Sequence, residues 1–312
     1  MGNCLRVMNS TKIKFVTSMD STKIEHDSKS LASTQPETTI VQPINYTTIN
    51  TNREFHNEEK STYWLPKDED EQKRLTGQHF AFKELFEGNI LLSVRQNLDF
   101  EKGISVLDVG CGSGVWIMDM SNDYPNCTYH GCDIVDTTNK ILKIDQFTFS
   151  YGNVIEKLPY ADNTFDFVHM RFFVYALRKE EWPMALKEII RVVKPGGMIQ
   201  TTEFEFRLPE DTSSAVYKFV NAFMSVAISR GQDAQIALKL ESLLSSNGSG
   251  SSVAKKLIWD ALEITKSAMS YIGPSLGVNS QEDALIFLED LKYGFTHTEY
   301  TFCAKSVSAK KL

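Results

Sequence analysis

The sequence predicts an α/β fold in which a mostly parallel β-sheet is covered by helices on both faces. From Ser105 onward, short apolar runs alternate with helical stretches, which is the pattern of such a sheet. A glycine-rich turn separates the first of these runs from the helix that follows it. The chain has 312 residues, 42% hydrophobic and 23% charged, which suffices for one main domain with attached segments.

Residues 1–60 are rich in Ser and Thr and show no sustained helical or strand period, so we expect a disordered leader. The leader opens with Met1-Gly2-Asn3-Cys4, in which Gly2 and Cys4 are residue types that accept two acyl chains. Arg6, however, stands where the myristoylation motif has Ser or Thr. We therefore favour a leader without a lipid anchor.

Composition excludes several classes of function. The formal net charge is -7 and Lys and Arg form no cluster, so we expect no nucleic-acid partner. No apolar run reaches the roughly 20 residues that cross a bilayer, so no transmembrane span is expected. The five cysteines are irregularly spaced, without a CxxC pair or a secretory leader. This pattern is typical of reduced thiols in a cytoplasmic or nuclear protein, and no metal site is expected.

Order is expected to begin near Tyr63-Trp64-Leu65-Pro66. Acidic residues at 68–71 favour the start of a helix there, because carboxylates are stabilised at a helix N-terminus. We expect this helix to end at Gly88 and a second helix to cover about 89–98.

The sheet elements follow in order along the chain. Trp182, Leu186 and Ile189 recur at helical spacing, and Pro183 is tolerated because it lies in the first turn of that helix. Lys194-Pro195-Gly196-Gly197 then ends the helix. After Arg207 the pattern is largely helical to about 291, and a last strand is expected near 298–304. The other strands are predicted near 105–109, 128–133, 147–151, 164–169 and 198–204.

The strongest motif is VLDVGCGSG at Val106–Gly114, a strand that runs into a loop with glycines at 110, 112 and 114. Glycine lets the chain turn sharply and approach a ligand without a Cβ in the way. NAD-binding domains place a similar turn at the same point, but their GxGxxG pattern fails here, because its last position falls on Val115 or Ile117.

The motif and the landmarks after it resemble the class I S-adenosyl-L-methionine (SAM)-dependent methyltransferases. Tyr129–Ile134, Gly152–Val154 and Arg191–Gly197 resemble this family's second strand, adenine segment and entry to the fifth strand. Tyr63–Pro66 and Phe167–Arg171 resemble, more specifically, a fungal group that includes relatives of the secondary-metabolism regulator LaeA. The resemblance implies a Rossmann-like doubly wound sheet and SAM as cofactor. It also implies methyl transfer to an acceptor that the sequence does not identify, which we expect to be a small molecule.

The resemblance also implies a role for each site residue. Asp108 and the backbone of the glycine loop would hold the methionine end of SAM, and Asp133 would bind the ribose hydroxyls. Ile134 would lie against the adenine, and Asn153 would reach its exocyclic amine. Most family members have Asp at the position of Asn153, but an amide oxygen can also accept a hydrogen bond. The implied cofactor-binding residues are Asp108, Gly110, Cys111, Gly112, Gly114, Asp133, Ile134, Asn153 and Val154.

Each of these residues also has a structural interpretation. The glycines could form a plain strand-to-helix turn, Asp133 could terminate a strand and Asn153 could be a turn residue. Cys111 could be a small apolar filler. Tyr63 and Trp64 could anchor the first helix or cover the cofactor.

Methyl transfer from a sulfonium depends mainly on alignment, so a dedicated base is optional. If the acceptor must lose a proton, His169 at the end of the fourth strand of the predicted core is the candidate base. A structural hydrogen bond is the alternative role for His169. Arg171 could orient an anionic acceptor or form an ion pair.

The C-terminal third departs from the family pattern, which has a sixth strand paired with the seventh. Only the seventh has a candidate, because Leu243-Leu244 runs into the polar stretch Ser245–Ser252. We therefore expect a missing sixth strand and an incomplete or rebuilt sheet edge. The expected domains are a disordered leader at 1–60, a SAM-binding core with N-terminal helices at 61–206, and a helical acceptor lid with the final strand at 207–312. Candidate lid linings are Trp259, Met269, Tyr271 and Phe287.

Two other classes of function stay open. A nonenzymatic or weakly active LaeA-like regulator could keep the methyltransferase fold for binding partners, since fold does not determine function. An oxidoreductase that uses a nicotinamide nucleotide is the weaker alternative, because the third glycine of its fingerprint is missing.

Overall fold

Seven strands form one mixed sheet in the computed structural model, which describes residues 5–16, 52–56, 58, 61–137, 145–244, 254–297 and 301–311. The strands are β1 (Leu5–Val16), β2 (Ser105–Val109), β3 (Thr128–Asp133), β4 (Phe147–Tyr151), β5 (Phe165–Arg171), β6 (Val193–Glu205) and β7 (Thr301–Lys311). Their spatial order is β4-β3-β2-β5-β6-β7-β1, and β7 runs antiparallel to both of its neighbours. The other described pairings are parallel, which confirms the predicted α/β fold.

The helices lie before, between and after the central strands. The first begins where the acidic residues predict, and the Asp68 carboxylate caps it by accepting the N–H of Glu71 at 3.1 Å. Among the described helices, none has the length and apolar character of a membrane span. They are α1 (Glu69–Leu85), α2 (Leu92–Arg95), α3 (Val115–Asp123), α4 (Trp182–Val192), α5 (Ala215–Ser229), α6 (Ile236–Leu244), α7 (Ala254–Leu276) and α8 (Gln281–His297).

The central strands are buried on both faces. Successive side chains of a strand point to opposite faces, so Val106 of β2 packs in the same cluster as Trp116 of α3. The next residue, Leu107, belongs to the cluster that contains Ile189 of α4. This arrangement explains why these strands read as continuous apolar runs.

The second helix is shorter than predicted. It covers Leu92–Arg95 instead of about 89–98, because side-chain bonds from β6 hold the chain before it in a non-helical form. The Gln200 side chain accepts the N–H of Leu91 at 2.8 Å and donates to the carbonyl of Asn89 at 3.3 Å. These contacts are long-range, so helical periodicity could not reveal them.

The expectation of a wholly disordered leader is wrong for Leu5–Val16. These residues form β1, which pairs antiparallel with β7 from Leu5↔Lys311 to Val16↔Thr301. Lys12–Phe15 does alternate polar and apolar residues, but the partner strand lies at the other end of the chain, so local composition gave no sign of the pairing.

The predicted departure at the sheet edge is confirmed, and the edge is rebuilt. No strand lies between β6 and β7 in the part of that segment that the structure describes, 206–244 and 254–297. The edge position next to β7 is filled by β1, which runs parallel to β6 because both are antiparallel to β7. The polar stretch at 245–252 lies outside the described residues. The last strand, Thr301–Lys311, extends further than the predicted 298–304.

The chain order reverses between β2 and β5. From β2 the sheet grows through β3 to β4, and β5 then pairs on the other side of β2. In open α/β sheets the crevice at such a reversal, beyond the carboxyl ends of the strands, is where ligands bind.

The pairing of β1 with β7 can be tested with one engineered cysteine. Lys14 is the register partner of the natural Cys303, and directly opposed residues of antiparallel strands have Cα atoms at a separation that a disulfide can bridge. We predict that Lys14→Cys forms an intramolecular disulfide with Cys303 under mild oxidation, detected by mass spectrometry of proteolytic peptides.

The control is Ile13→Cys, because the register partner of Ile13 is Ala304 and not Cys303. It should give no cross-link to Cys303. Equal cross-linking of both variants, or of neither, would contradict the described register.

Candidate cofactor site

A cavity of about 210 Å³ lies at the carboxyl ends of β2, β3 and β5. Its floor is formed by the loops that follow these strands, and its cover is formed by His56, Tyr63, Pro66 and part of α1. The site residues predicted from the sequence that line this one cavity are Asp108, Gly110, Cys111, Gly112, Asp133, Ile134, Asn153 and Val154. Gly114 and His169 do not line it.

The glycine loop needs glycine at its turns. Gly110, Gly112 and Gly114 have φ of 67°, 52° and 76°, in the left-handed region that other residues rarely adopt. A Cβ at Gly110 would lie 2.5 Å from the ring of Phe173, in the loop after β5. Gly114 is the N-cap of α3 and does not line the cavity, whereas Val115, the first residue of α3, does.

Asp133 ends β3 and is tied to the glycine loop. Its carboxylate accepts the N–H of Gly112 at 2.9 Å and the N–H of Val135 at 3.3 Å. Burial raises the pKa of Asp133, although these backbone bonds favour the charged form. Two hydroxyl donors from a ligand would compensate the partly desolvated carboxylate, so its environment suits a ribose.

On the β4 side, Ile134, Asn153 and Val154 line the cavity together. The side-chain oxygen of Asn153 accepts the N–H of Ile155 at 3.3 Å, so this residue also organises its own turn. The cofactor and turn interpretations of Asn153 are therefore compatible. Cys111 is buried and lines the cavity beside them, and burial raises the pKa of its thiol, so it is not an activated nucleophile.

His169 lies below the cavity instead of in its wall. Its ring is 1% exposed and stacks on Trp116 with centroids 4.0 Å apart and planes at 5°. Its Nδ1–H donates to the carboxylate of Asp108 at 2.8 Å. Burial lowers the pKa of His169, so the ring is neutral at pH 7. This geometry favours the structural alternative over the role of general base, because the ring does not reach the cavity.

Arg171, at the end of β5, does line the cavity. Its guanidinium donates to Nδ1 of His79 at 3.1 Å, and Nε2–H of His79 donates to the Asp119 carboxylate at 2.8 Å. Although burial opposes ionisation, hydrogen bonds from His79, Lys83 and Asn89 hold the pKa of Asp119 well below its usual range. The charged Asp119 fixes the tautomer of His79 so that Nδ1 faces Arg171 as an acceptor.

The loop after β5 is fixed by the buried carboxyl group of Glu203. Glu203 of β6 accepts the N–H of Phe173 at 2.7 Å and the N–H of Val174 at 3.0 Å. Burial raises the pKa of Glu203 to about 8. These bonds hold Phe172, with φ of 61°, and Phe173 in the cavity wall.

The sequence left two positions open for Tyr63 and Trp64, over the cavity or in the core, and the structure places one residue in each. Tyr63 lines the cavity, whereas Trp64 is 1% exposed and packs against the rings of Tyr175 and Tyr271. His56 stacks on Tyr63 with ring centroids 5.9 Å apart and also lines the cavity.

Sequence reasoning missed most of this cover. His56 lies in the segment interpreted as a disordered leader, where no pattern marked it. Gln72, Leu75 and Gln78 also line the cavity, and their spacing of three places them along one side of α1. That spacing was a usable signal, but polar residues on a helix give no reason by themselves to expect a ligand.

The C-terminal helices do not cover the cavity as expected. None of the residues suggested as lid linings lies in its wall, and no described residue after Leu177 does. Instead α7 supports α1 from outside, because the buried Arg74 pairs with Glu71 at 2.7 Å and with Asp260 of α7 at 2.8 Å. Trp259 packs so closely on Gly77 that a Cβ there would lie 2.1 Å from its ring. The suggested lid residues that lie outside the cavity wall are Trp259, Met269, Tyr271 and Phe287.

Comparison with known proteins agrees with this geometry. Residues 106–197 match a family model described as a methyltransferase domain. The chain is 28% identical to the secondary metabolism regulator laeA of Coprinopsis cinerea over 158 residues, 50% of this chain and 39% of that protein. It is 25% identical to the methyltransferase grgD of a Penicillium species over 156 residues, 47% of this chain and 54% of that protein. The chain thus spans about half or less of the length of these curated relatives.

Among solved structures, phosphoethanolamine N-methyltransferase 2 of Haemonchus contortus has 17% identity and a TM-score of 0.43, over 78% of this chain and 58% of that one. Residues 106–197 are therefore similar to a methyltransferase domain, in a chain that resembles LaeA-like proteins over about half of its length.

Proposed function

We propose that this protein binds SAM in the cavity and transfers its methyl group to a small-molecule acceptor. The observation that carries this proposal is the order of the groups around one cavity. Asp108 and the glycine loop lie after β2, Asp133 lies at the end of β3, and Asn153 follows β4. This is the order of the methionine, ribose and adenine parts of SAM.

The residues present fit that cofactor. The position of a Cβ at Gly112 meets no atom within 4 Å, so the open space above this glycine is available to a ligand that approaches the backbone. Asp133 supplies a carboxylate beside it, joined to its N–H. When bound, SAM supplies a methyl group on a sulfonium that is already activated for transfer.

The chain's own contribution is alignment and exclusion of water. Phe172 and Phe173, held by Glu203, border the cavity on the side of the β5 loop, and Tyr63 covers it. We infer that the acceptor enters between these aromatic side chains. An entrance bordered by these aromatic side chains under the cover of Tyr63 favours a small acceptor over a macromolecular surface.

A LaeA-like regulatory role is the second candidate, and its support is that the relatives with 28% identity are named as regulators. The two roles differ in turnover. If transfer of labelled methyl groups from SAM into a host-cell extract gives no labelled product while SAM still binds, the regulatory role is favoured.

Cofactor binding should depend on Asp133. We predict that Asp133→Ala weakens SAM binding by about 2 to 4 kcal/mol, because the variant loses a charged acceptor for two hydroxyls. Isothermal titration with SAM, and with NADH as the competing cofactor class, measures the effect.

The matched control is Asp136→Ala, an exposed carboxylate three residues further on, which should leave SAM affinity unchanged. Binding of NADH but not SAM by the unmodified protein would reject the proposed function. Unchanged SAM affinity in a folded Asp133→Ala protein would remove Asp133 from the site.

We infer that His169 positions Asp108 and is not the base. His169→Phe keeps an aromatic ring for stacking on Trp116 but removes the hydrogen bond, so SAM affinity should fall by about 0.5 to 1.5 kcal/mol. His169→Asn can restore a donor to Asp108 and should recover part of the affinity, at the cost of a lower melting temperature from lost packing. Unchanged SAM affinity in both variants, with turnover reduced about 100-fold, would instead identify a base.

A further inference from the structure

The two edges of the sheet are built differently. Strand β1 forms one edge and β4 forms the other. Strand β1 carries Arg6, Lys12 and Lys14. Its pairing with β7 also shifts in register between Val7 and Asn9. Charged side chains and such irregularities both keep an edge strand from pairing with another chain, so the β1 edge is protected.

The β4 edge has none of these features. Phe147–Tyr151 contains no charged residue and no proline, and its pairing with β3 is regular along the whole strand. Among the described strands, none pairs with the outer side of β4. The backbone on that side is therefore able to pair with a further strand.

The side chains of β4 alternate between aromatic and hydroxyl residues. Phe147, Phe149 and Tyr151 point to one face of the sheet, whereas Thr148 and Ser150 point to the other. The rings of Phe149 and Tyr151 meet edge to face with centroids 5.1 Å apart. Tyr151 is 66% exposed, and the two phenylalanines are half-buried. The edge thus carries a row of aromatic side chains that the chain itself covers only in part.

The backbone of β4 shows which residues face outward. The carbonyl of Gln146 accepts an N–H of β3 at 2.8 Å, and the N–H of Gly152 donates to a β3 carbonyl at 3.0 Å. Backbone groups of a strand alternate in direction from one residue to the next, so even-numbered positions face β3. Phe147, Phe149 and Tyr151 therefore direct their N–H and carbonyl groups away from the sheet.

This pattern is self-complementary about Phe149. If two copies of β4 run antiparallel with Phe149 opposite itself, Phe147 of each copy faces Tyr151 of the other. In the same register Thr148 faces Ser150. Aromatic residues then meet aromatic residues and hydroxyls meet hydroxyls, which are both favourable cross-strand pairs. The residues with outward backbone groups are also opposite one another, so they exchange the hydrogen bonds of an antiparallel ladder.

We propose that a second copy of this chain pairs with the outer side of β4, antiparallel and centred on Phe149, and joins two seven-stranded sheets into one. A two-fold axis at Phe149 brings the same surface of both copies together, as in most protein dimers. Because β4 has only five residues, we expect a small interface and a dimer that dissociates on dilution. The proposal is independent of the proposed function, since no residue of Phe147–Tyr151 lines the cavity.

Sedimentation velocity of the full chain under reducing conditions measures this association without intermolecular disulfides. We expect a shift from monomer to dimer as the concentration rises. Tyr151→Lys should weaken the dimer by about 5- to 30-fold, because lysine replaces the aromatic residue in both pairs with Phe147. The matched control is Tyr293→Lys, the same change at a tyrosine of α8 that is 63% exposed, which should leave the dimer unchanged.

A cysteine at the two-fold axis tests the register. Phe149→Cys places two thiols in a hydrogen-bonded pair of positions, whose Cα atoms lie about 5.5 Å apart, within the range of a disulfide. We expect a covalent dimer under mild oxidation, in which mass spectrometry finds two copies of the substituted peptide joined together. The control is Tyr151→Cys, which should not cross-link, because its two copies lie about 13 Å apart along the strands.

The other outcomes overturn the proposal. A monomer at every concentration shows that β4 does not pair with a second copy. Equal weakening by Tyr151→Lys and Tyr293→Lys, or weakening by neither, places the contact elsewhere. Cross-linking of Tyr151→Cys in preference to Phe149→Cys contradicts the register. The melting temperature of each variant reports folding, and Tyr151→Lys, at an exposed position, decides the test if Phe149→Cys is unfolded.

Discussion

The close approach of the glycine loop to the loop after β5 is the contact on which the site depends. Gly110 leaves no room for a Cβ because the ring of Phe173 occupies that space, and Glu203 holds Phe173 there by its backbone N–H. A side chain at Gly110 would separate the two loops. The cavity would then lose the part of its wall that lies between the ends of β2 and β5, where Asp108 lines it.

Charged residues behind the cavity give its cover a fixed position. The buried Arg74 joins Glu71 of its own helix to Asp260 of α7, and Gln78 donates to the same Asp260 at 2.9 Å. Helix α1 is therefore fixed against α7, while Gln78 also contributes to the cavity wall. Removal of one member of this buried ion-pair group would leave an uncompensated charge. Helix α1, which forms part of the cavity cover, and helix α7 are therefore stabilised together.

The rebuilt sheet edge shows how a parallel core tolerates the loss of a strand from its usual place in the chain. Strand β7 needs a neighbour because an open edge exposes unpaired N–H and carbonyl groups. Leu5–Val16 satisfies that edge in the same direction as β6. The strand comes from the opposite end of the chain, and α6, one of the helices between β6 and β7, packs against both β1 and β7.

The sequence by itself determined the central strands, the order of the helices around them and most residues of the cavity floor. These features follow from local patterns: apolar runs, helical spacing and glycines where the backbone has φ near 60°. Tertiary structure decided what those patterns could not contain. The apolar run predicts a strand that ends at His169, whereas β5 continues to Arg171, and only the stacking of His169 on Trp116 shows that this side chain faces the core. Likewise, Leu5–Val16 and the cover around His56 depend on partners far away in the chain, and local composition carries no record of such contacts.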